Sequence, residues 1–84
     1  MKLPDDAAIV GELCPVCRQG RQFVMRDEAD DQLFVGCEEC DSEWAHPSQA
    51  RQVSAAVRDA HPNSTIVRIA ELRDHPWMCF VLDR

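Results

Sequence analysis

Cys14-Pro15-Val16-Cys17 and Cys37-Glu38-Glu39-Cys40 decide how this chain is read. Each is a pair of thiols with two residues between them, and nineteen residues separate the pairs. Two intervening residues let a tight turn present both sulfurs to one ion at about 2.3 Å. A chain that doubles back between the pairs sets the second turn opposite the first and completes a tetrahedron. The intervening sequence can do this: Gln22-Phe-Val-Met-Arg26 and Leu33-Phe-Val-Gly36 are rich in strand formers, and Asp27 to Gln32 is acidic turn material. Gly36 immediately precedes the second pair, and Gly20 follows the first where the turn is expected to need a positive φ. The expected cofactor is one zinc ion held by Cys14, Cys17, Cys37 and Cys40. Sulfur in every position leaves no place for a catalytic water, so the expected role is structural and the chain is not expected to be an enzyme.

Length and context agree with a metal staple. A chain of 84 residues makes one domain, 1–84, and buries too little apolar surface to be stable on a hydrophobic core alone. The opening MKLPDDAAIVGEL has no apolar run of signal-peptide length, which places the chain in a reducing cytoplasm, where paired thiols hold metal more often than each other. No segment approaches the roughly 20 apolar residues that cross a bilayer. The thiols admit two other uses. A redox dithiol of the CPxC kind comes as a single pair on a βαβ scaffold, which this pattern lacks. Iron is the stronger alternative, because rubredoxin-like electron carriers hold it in two such turns. Rubredoxins, however, usually place glycine after each second cysteine, where this chain has Arg18 and Asp41. His46 could in principle replace a ligand, but four cysteines in register give it no reason to.

Leu13-Cys-Pro-Val-Cys-Arg-Gln-Gly20 and Phe34-Val-Gly-Cys-Glu-Glu-Cys-Asp-Ser-Glu-Trp44, joined by a hairpin, resemble the zinc ribbon fold group over residues 13–46. The second half, with Trp44 four residues past the last cysteine and Pro47 soon after, is similar to small bacterial zinc-ribbon proteins, some of them immunity-type partners of toxins. That resemblance implies a binding role and a toxin-like partner.

Residues 1–12 read as a lead-in that frays, and residues 47–84 as a helical extension ending in a strand. Ser48 is placed to cap a helix in which Ala50, Val53, Ala56, Val57 and Ala60 form one apolar stripe, stopped at His61-Pro62. Thr65 to Arg73 fits either a short helix or, from Thr65-Ile-Val, a strand; the helix is preferred. Trp77 to Leu82 reads as a final buried strand that carries Cys79 into the core. Trp44 and Trp77 are expected to form the seam between the halves, and His61 and His75, each before a proline, to face solvent. The expected fold is therefore α+β: a zinc ribbon packed against a helical C-terminal half with a final short strand.

Charge points to the partner. The formal net charge is −6, and the stretch from Asp27 to Ala50 holds Asp27, Glu28, Asp30, Asp31, Glu38, Glu39, Asp41 and Glu43 with no Lys or Arg. Such a surface is either a solvating face or a docking surface for a basic protein, with Asp30, Asp31, Glu38, Glu39, Asp41 and Glu43 as its candidate residues. Unaided nucleic-acid binding is disfavoured, since a phosphate backbone is met with clustered cations. Its only support is Arg18, Arg21 and Arg26 near the first metal turn. The expected function is a non-enzymatic, acidic protein-binding module, an inhibitor or immunity-type partner of a basic protein such as a toxin. The alternatives are a nucleic-acid-associated ribbon and an iron electron carrier. No oligomeric state is legible.

Overall fold

Phe23, Val24 and Met25 alternate across a strand whose neighbours supply the matching alternation, and the architecture grows from that pairing. The computed structural model describes residues 3–82. Its strands are β1 (Ile9–Gly11), β2 (Gln22–Asp27), β3 (Leu33–Cys37), β4 (Ser42–Trp44), β5 (Val57–Arg58) and β6 (Ser64–Ile66), joined in one antiparallel sheet. The order is β1-β2-β3-β4-β5, with β6 also on β2. β1 takes the first half of that free edge, opposite Gln22 and Phe23, and β6 takes the second half, opposite Met25 to Asp27. Where the two meet, Ala8 donates to the Val67 carbonyl, Val67 to that of Val24, and Val24 to that of Ala8, so three segments of chain satisfy one another.

The hairpin lies where the sequence places it, with Val24 opposite Val35 and Gln22 opposite Cys37. Its tip is built by the acidic residues themselves. Asp27 Oδ1 accepts from Ala29 N at 2.8 Å, Asp30 Oδ1 from Gln32 N at 3.0 Å, and Asp31 has φ 60°. Short carboxylates that bond their own backbone and tolerate left-handed φ are what such a turn selects.

The helical half is not present. Among the described residues there is no α-helix, only single turns of 3-10 helix at Pro47–Gln49, Val53–Ala55, Ile69–Leu72 and Pro76–Phe80, so the fold is a small six-stranded β structure, not α+β. The stripe from Ala50 to Ala60 does not form a helix: core side chains anchor its carbonyls, and only single 3-10 turns close between them. Buried Gln22 donates Nε2 to Ala50 O at 2.7 Å, and Trp44 donates Nε1 to Gln52 O at 3.0 Å. Val57 then pairs with Glu43 as an edge strand, and Val53 and Val57 are exposed, 55% and 51%. In the ambiguous segment Ser64–Ile66 goes to β6, as β-branched residues favour, and only Ile69–Leu72 turns. The expected last strand is a 3-10 turn because His75-Pro76 starts one: Pro76 sits at its first position and His75 Nδ1 accepts from Trp77 N at 3.0 Å. Cys79 is accordingly exposed, not buried. The lead-in is ordered: Leu3, Ala7, Ala8 and Ile9 are buried, and Leu82 N donates to Ile9 O.

Trp44 and Trp77 do not share a seam. Trp44 packs with Cys14, Val35 and Cys37, whereas Trp77 lies against the cluster of Ala8, Val24, Val67 and Leu72. A third cluster, Leu3, Ala7, Ile9 and Phe23, covers the other face of the sheet. Trp44 is the largest fully buried side chain, and emptying its site should cost about 3–5 kcal/mol. Trp44→Ala should therefore leave the metal-loaded protein largely unfolded in a urea titration. Trp44→Phe, which keeps an aromatic ring while Ala55 N still serves the Gln52 carbonyl, should lose about 1 kcal/mol.

Candidate metal centre

Cys14 and Cys17 lie in the loop between β1 and β2, Cys37 ends β3, and Cys40 precedes β4, so two turns face each other at one end of the hairpin. All four Sγ atoms lie within 4.8 Å of one another. Cys14 Sγ is 3.8 Å from Cys40 Sγ, and Cys17 Sγ is 3.6 Å from Cys37 Sγ. Four sulfurs at 2.3 Å from a common centre would stand roughly 3.8 Å apart, so the cage has the size a tetrahedral thiolate site requires. A disulfide would need about 2.05 Å, and these cysteines are free thiols. The four residues are a metal-binding site, and an all-sulfur donor set suits a soft tetrahedral ion such as zinc.

Backbone amides are aimed at the cage. Val16 N reaches Cys14 Sγ at 3.4 Å, and Glu39 N and Cys40 N reach Cys37 Sγ at 3.4 and 3.5 Å. The amides of Gly20 and Gln19 on the sulfur of Cys17 pull its thiol down to about 7. Burial pushes the Cys14 and Cys37 thiols up. Metal must therefore expel thiol protons as it binds, and loading should weaken steeply as pH falls.

The turns obtain their left-handed residues without glycine. Arg18 and Asp41, each directly after the second cysteine of its pair, have φ 58° and 61°. Among the glycines none has positive φ, which corrects the expectation at Gly20. Gly20 is required for clearance instead: a Cβ there would lie 2.8 Å from Cys37 Sγ and 2.9 Å from Glu39 N. The Cys14 amide donates to the Gly20 carbonyl at 2.8 Å, which closes the first turn.

The acidic candidates divide. Asp30, Asp31, Glu39 and Asp41 are exposed as expected, but Glu38 and Glu43 are not available for docking. Glu38 grips Arg21, accepting from its backbone N and from Nε, both at 2.9 Å, and is 11% exposed. Arg21 holds the Glu38 carboxyl below its usual value; that pair's support is complete above the unfolded value near 4.5 and fades as pH drops through the lowered one. Glu43 is buried and its Oε1 lies 2.7 Å from His61 Nδ1. His61 is half-buried, not solvent-facing, because the chain from β5 at one edge to β6 at the other must cross the sheet, and there its ring stacks on Phe34 at 4.0 Å. His75 is exposed. His46 is no ligand; its Nδ1 caps the turn at Ser48 N. Of the three arginines, Arg21 is tied to Glu38 and Arg26 to Glu71, leaving Arg18 exposed. The His61–Glu43 pair had no sequence signal, since it rests on register and on the crossing connection.

Comparison with protein-family models, curated proteins and solved structures finds no match for this chain.

Gly20→Ala should weaken metal binding about 10- to 100-fold in a chelator competition, because backbone and a ligand sulfur, both fixed, stand in the way of its methyl. Gly36→Ala should cost far less, since its Cβ would meet only the flexible Met25 Sδ at 3.0 Å.

Proposed function

We propose that this chain is a non-catalytic binding module whose fold is held by one zinc ion and whose exposed carboxylates, at the hairpin tip and at the opposite, metal end of the hairpin, dock on a basic protein. The observation that carries the reading is the closed cage: four sulfurs at tetrahedral spacing occupy every position a zinc ion would offer, so the ion organises the chain and activates no water. The docking surface is drawn from Asp30 and Asp31 at the hairpin tip and Glu39 on the second metal turn, all exposed. Two neighbouring cations are committed, Arg21 to Glu38 and Arg26 to Glu71, and Arg18 stays exposed. Those pairings also weaken the arginine face on which a nucleic-acid role depended, and the net charge of −6 opposes it further. An acidic surface speeds encounter with a basic protein and fixes its orientation. The narrower identity of that protein as a toxin rests on the resemblance of residues 13–46 alone.

An iron electron carrier is kept as the second reading for a specific reason. Arg18 and Asp41 adopt the left-handed backbone that glycine supplies in rubredoxins, so the missing glycines do not select against iron. Elemental analysis separates the two: a colourless protein with one zinc per chain is expected, and a coloured protein with iron would replace the first reading.

Docking is tested by neutralising Asp30, Asp31 and Glu39 as Asn, Asn and Gln, which preserves the tip's side-chain bonds and the left-handed residue. The unaltered protein, immobilised at low salt, should retain basic proteins from its source extract and release them at high salt. The triple variant should retain at least about tenfold less, the loss of some 1.4 kcal/mol. Equal retention at every salt concentration would remove the docking reading.

A further inference from the structure

With metal bound all four cage sulfurs are thiolates, so access and hydrogen bonding separate them, not protonation. Cys14 and Cys37 are buried, whereas Cys17 and Cys40 are partly exposed. Backbone amides reach three of the sulfurs: Val16 N meets Cys14, Glu39 N and Cys40 N meet Cys37, and the Gln19 and Gly20 amides meet Cys17. Cys40 Sγ is met instead by the Ser42 hydroxyl, at 3.2 Å. An amide in a closed turn is fixed and keeps drawing charge off its sulfur, while a hydroxyl rotates about its C–O bond and can release it. A thiolate whose charge is less engaged is the stronger nucleophile. Cys40 combines that state with an open approach.

The surroundings narrow the electrophile. Glu39 and Asp41, on either side of Cys40 in the chain, are both exposed. Carboxylates there repel an anionic reagent and leave the approach open to a small neutral one. Cys14 Sγ, buried and 3.8 Å from Cys40 Sγ, stands behind it as a second thiolate. We propose that Cys40 is the reactive thiolate of the metal-loaded centre, and that a neutral peroxide oxidises it and opens the cage. The Cys40 sulfur attacks one peroxide oxygen: an S–O bond forms, the O–O bond breaks, and hydroxide leaves. Sulfur is oxidised to a sulfenic acid and the peroxide is reduced. Cys14 then attacks that sulfur, forming the S–S bond as the S–O bond breaks and a second hydroxide departs. The cage has then lost two of its four donors and no longer holds the ion. The inference rests on the metal centre described above and adds to it a site of modification.

The test uses the full chain carrying Cys79→Ser, which removes the exposed fifth thiol, loaded with zinc and then freed of reductant. Elemental analysis first establishes that the ion is present. Less than one equivalent of iodoacetamide, a neutral alkylating agent, is added, and fragmentation of the digested peptides locates the label. Cys40 should carry at least about threefold more label than Cys17, and Cys14 and Cys37 almost none. In a separate sample, hydrogen peroxide should release one ion per peroxide consumed, read with a chromogenic chelator against a peroxide-free control, and the first disulfide mapped should join Cys14 to Cys40. Label shared equally with Cys17, a first disulfide that omits Cys40, or peroxide consumed with the ion retained would overturn the proposal and leave the metal centre standing. A protein that takes up no zinc retires both. Should Cys79→Ser fail to fold, the same map on the unaltered chain, read at the four cage cysteines, decides.

Discussion

Convergence of four sulfurs is the constraint on which the rest of this molecule depends. Cys14 and Cys37 are not appended to a finished core; they are core, packed with Val35 and Trp44 in one of the three buried clusters. Through Trp44 the cage is tied to the chain around Gln52, and through Cys37 to β3 at the centre of the sheet. A protein of this size buries a smaller share of its surface than a larger one, so a cross-link between distant segments counts for more. Here the cross-link joins residues 14–17 to 37–40, the segments that flank the hairpin on which β1, β4 and β6 pair directly.

The second organising feature is competition for backbone carbonyls. Residues 47–60 carry a helical stripe, yet the carbonyls of Ala50 and Gln52 are taken by Gln22 and Trp44 from the core. A helix would have used those acceptors for its own amides. Anchored to the core by these bonds, the segment follows the sheet in short turns and contributes an edge strand. The same logic governs the C-terminus, where Pro76 and the ring of His75 organise a 3-10 turn before any strand can pair. These are tertiary demands, and a local pattern of apolar residues does not contain them.

What was legible in the sequence follows from that distinction. The ligands, the hairpin and its acidic tip are encoded by spacing and turn chemistry within a few residues, and they lie where the residues place them. The helix at 48–60, the final strand, the buried Cys79 and the tryptophan seam depended on partners far along the chain, and each differs in the structure. Charge was readable as composition but not as availability: Glu38 and Glu43 look like Glu39 in sequence, and only register shows that Arg21 and His61 have claimed them. Likewise the need for glycine at 20 was visible while its cause was not, because the clash is with Cys37 and Glu39 from the opposite turn.

Withdrawal of the ion shows most directly whether the cage holds the sheet together. Amide spectra recorded before and after stripping the metal with a chelator under reducing conditions are the decisive measurement. Collapse of the dispersed β-sheet resonances, restored by adding back one equivalent of zinc, is the predicted result. A stripped protein with reduced thiols and an unchanged, dispersed spectrum would contradict the claim that the cage holds the fold together.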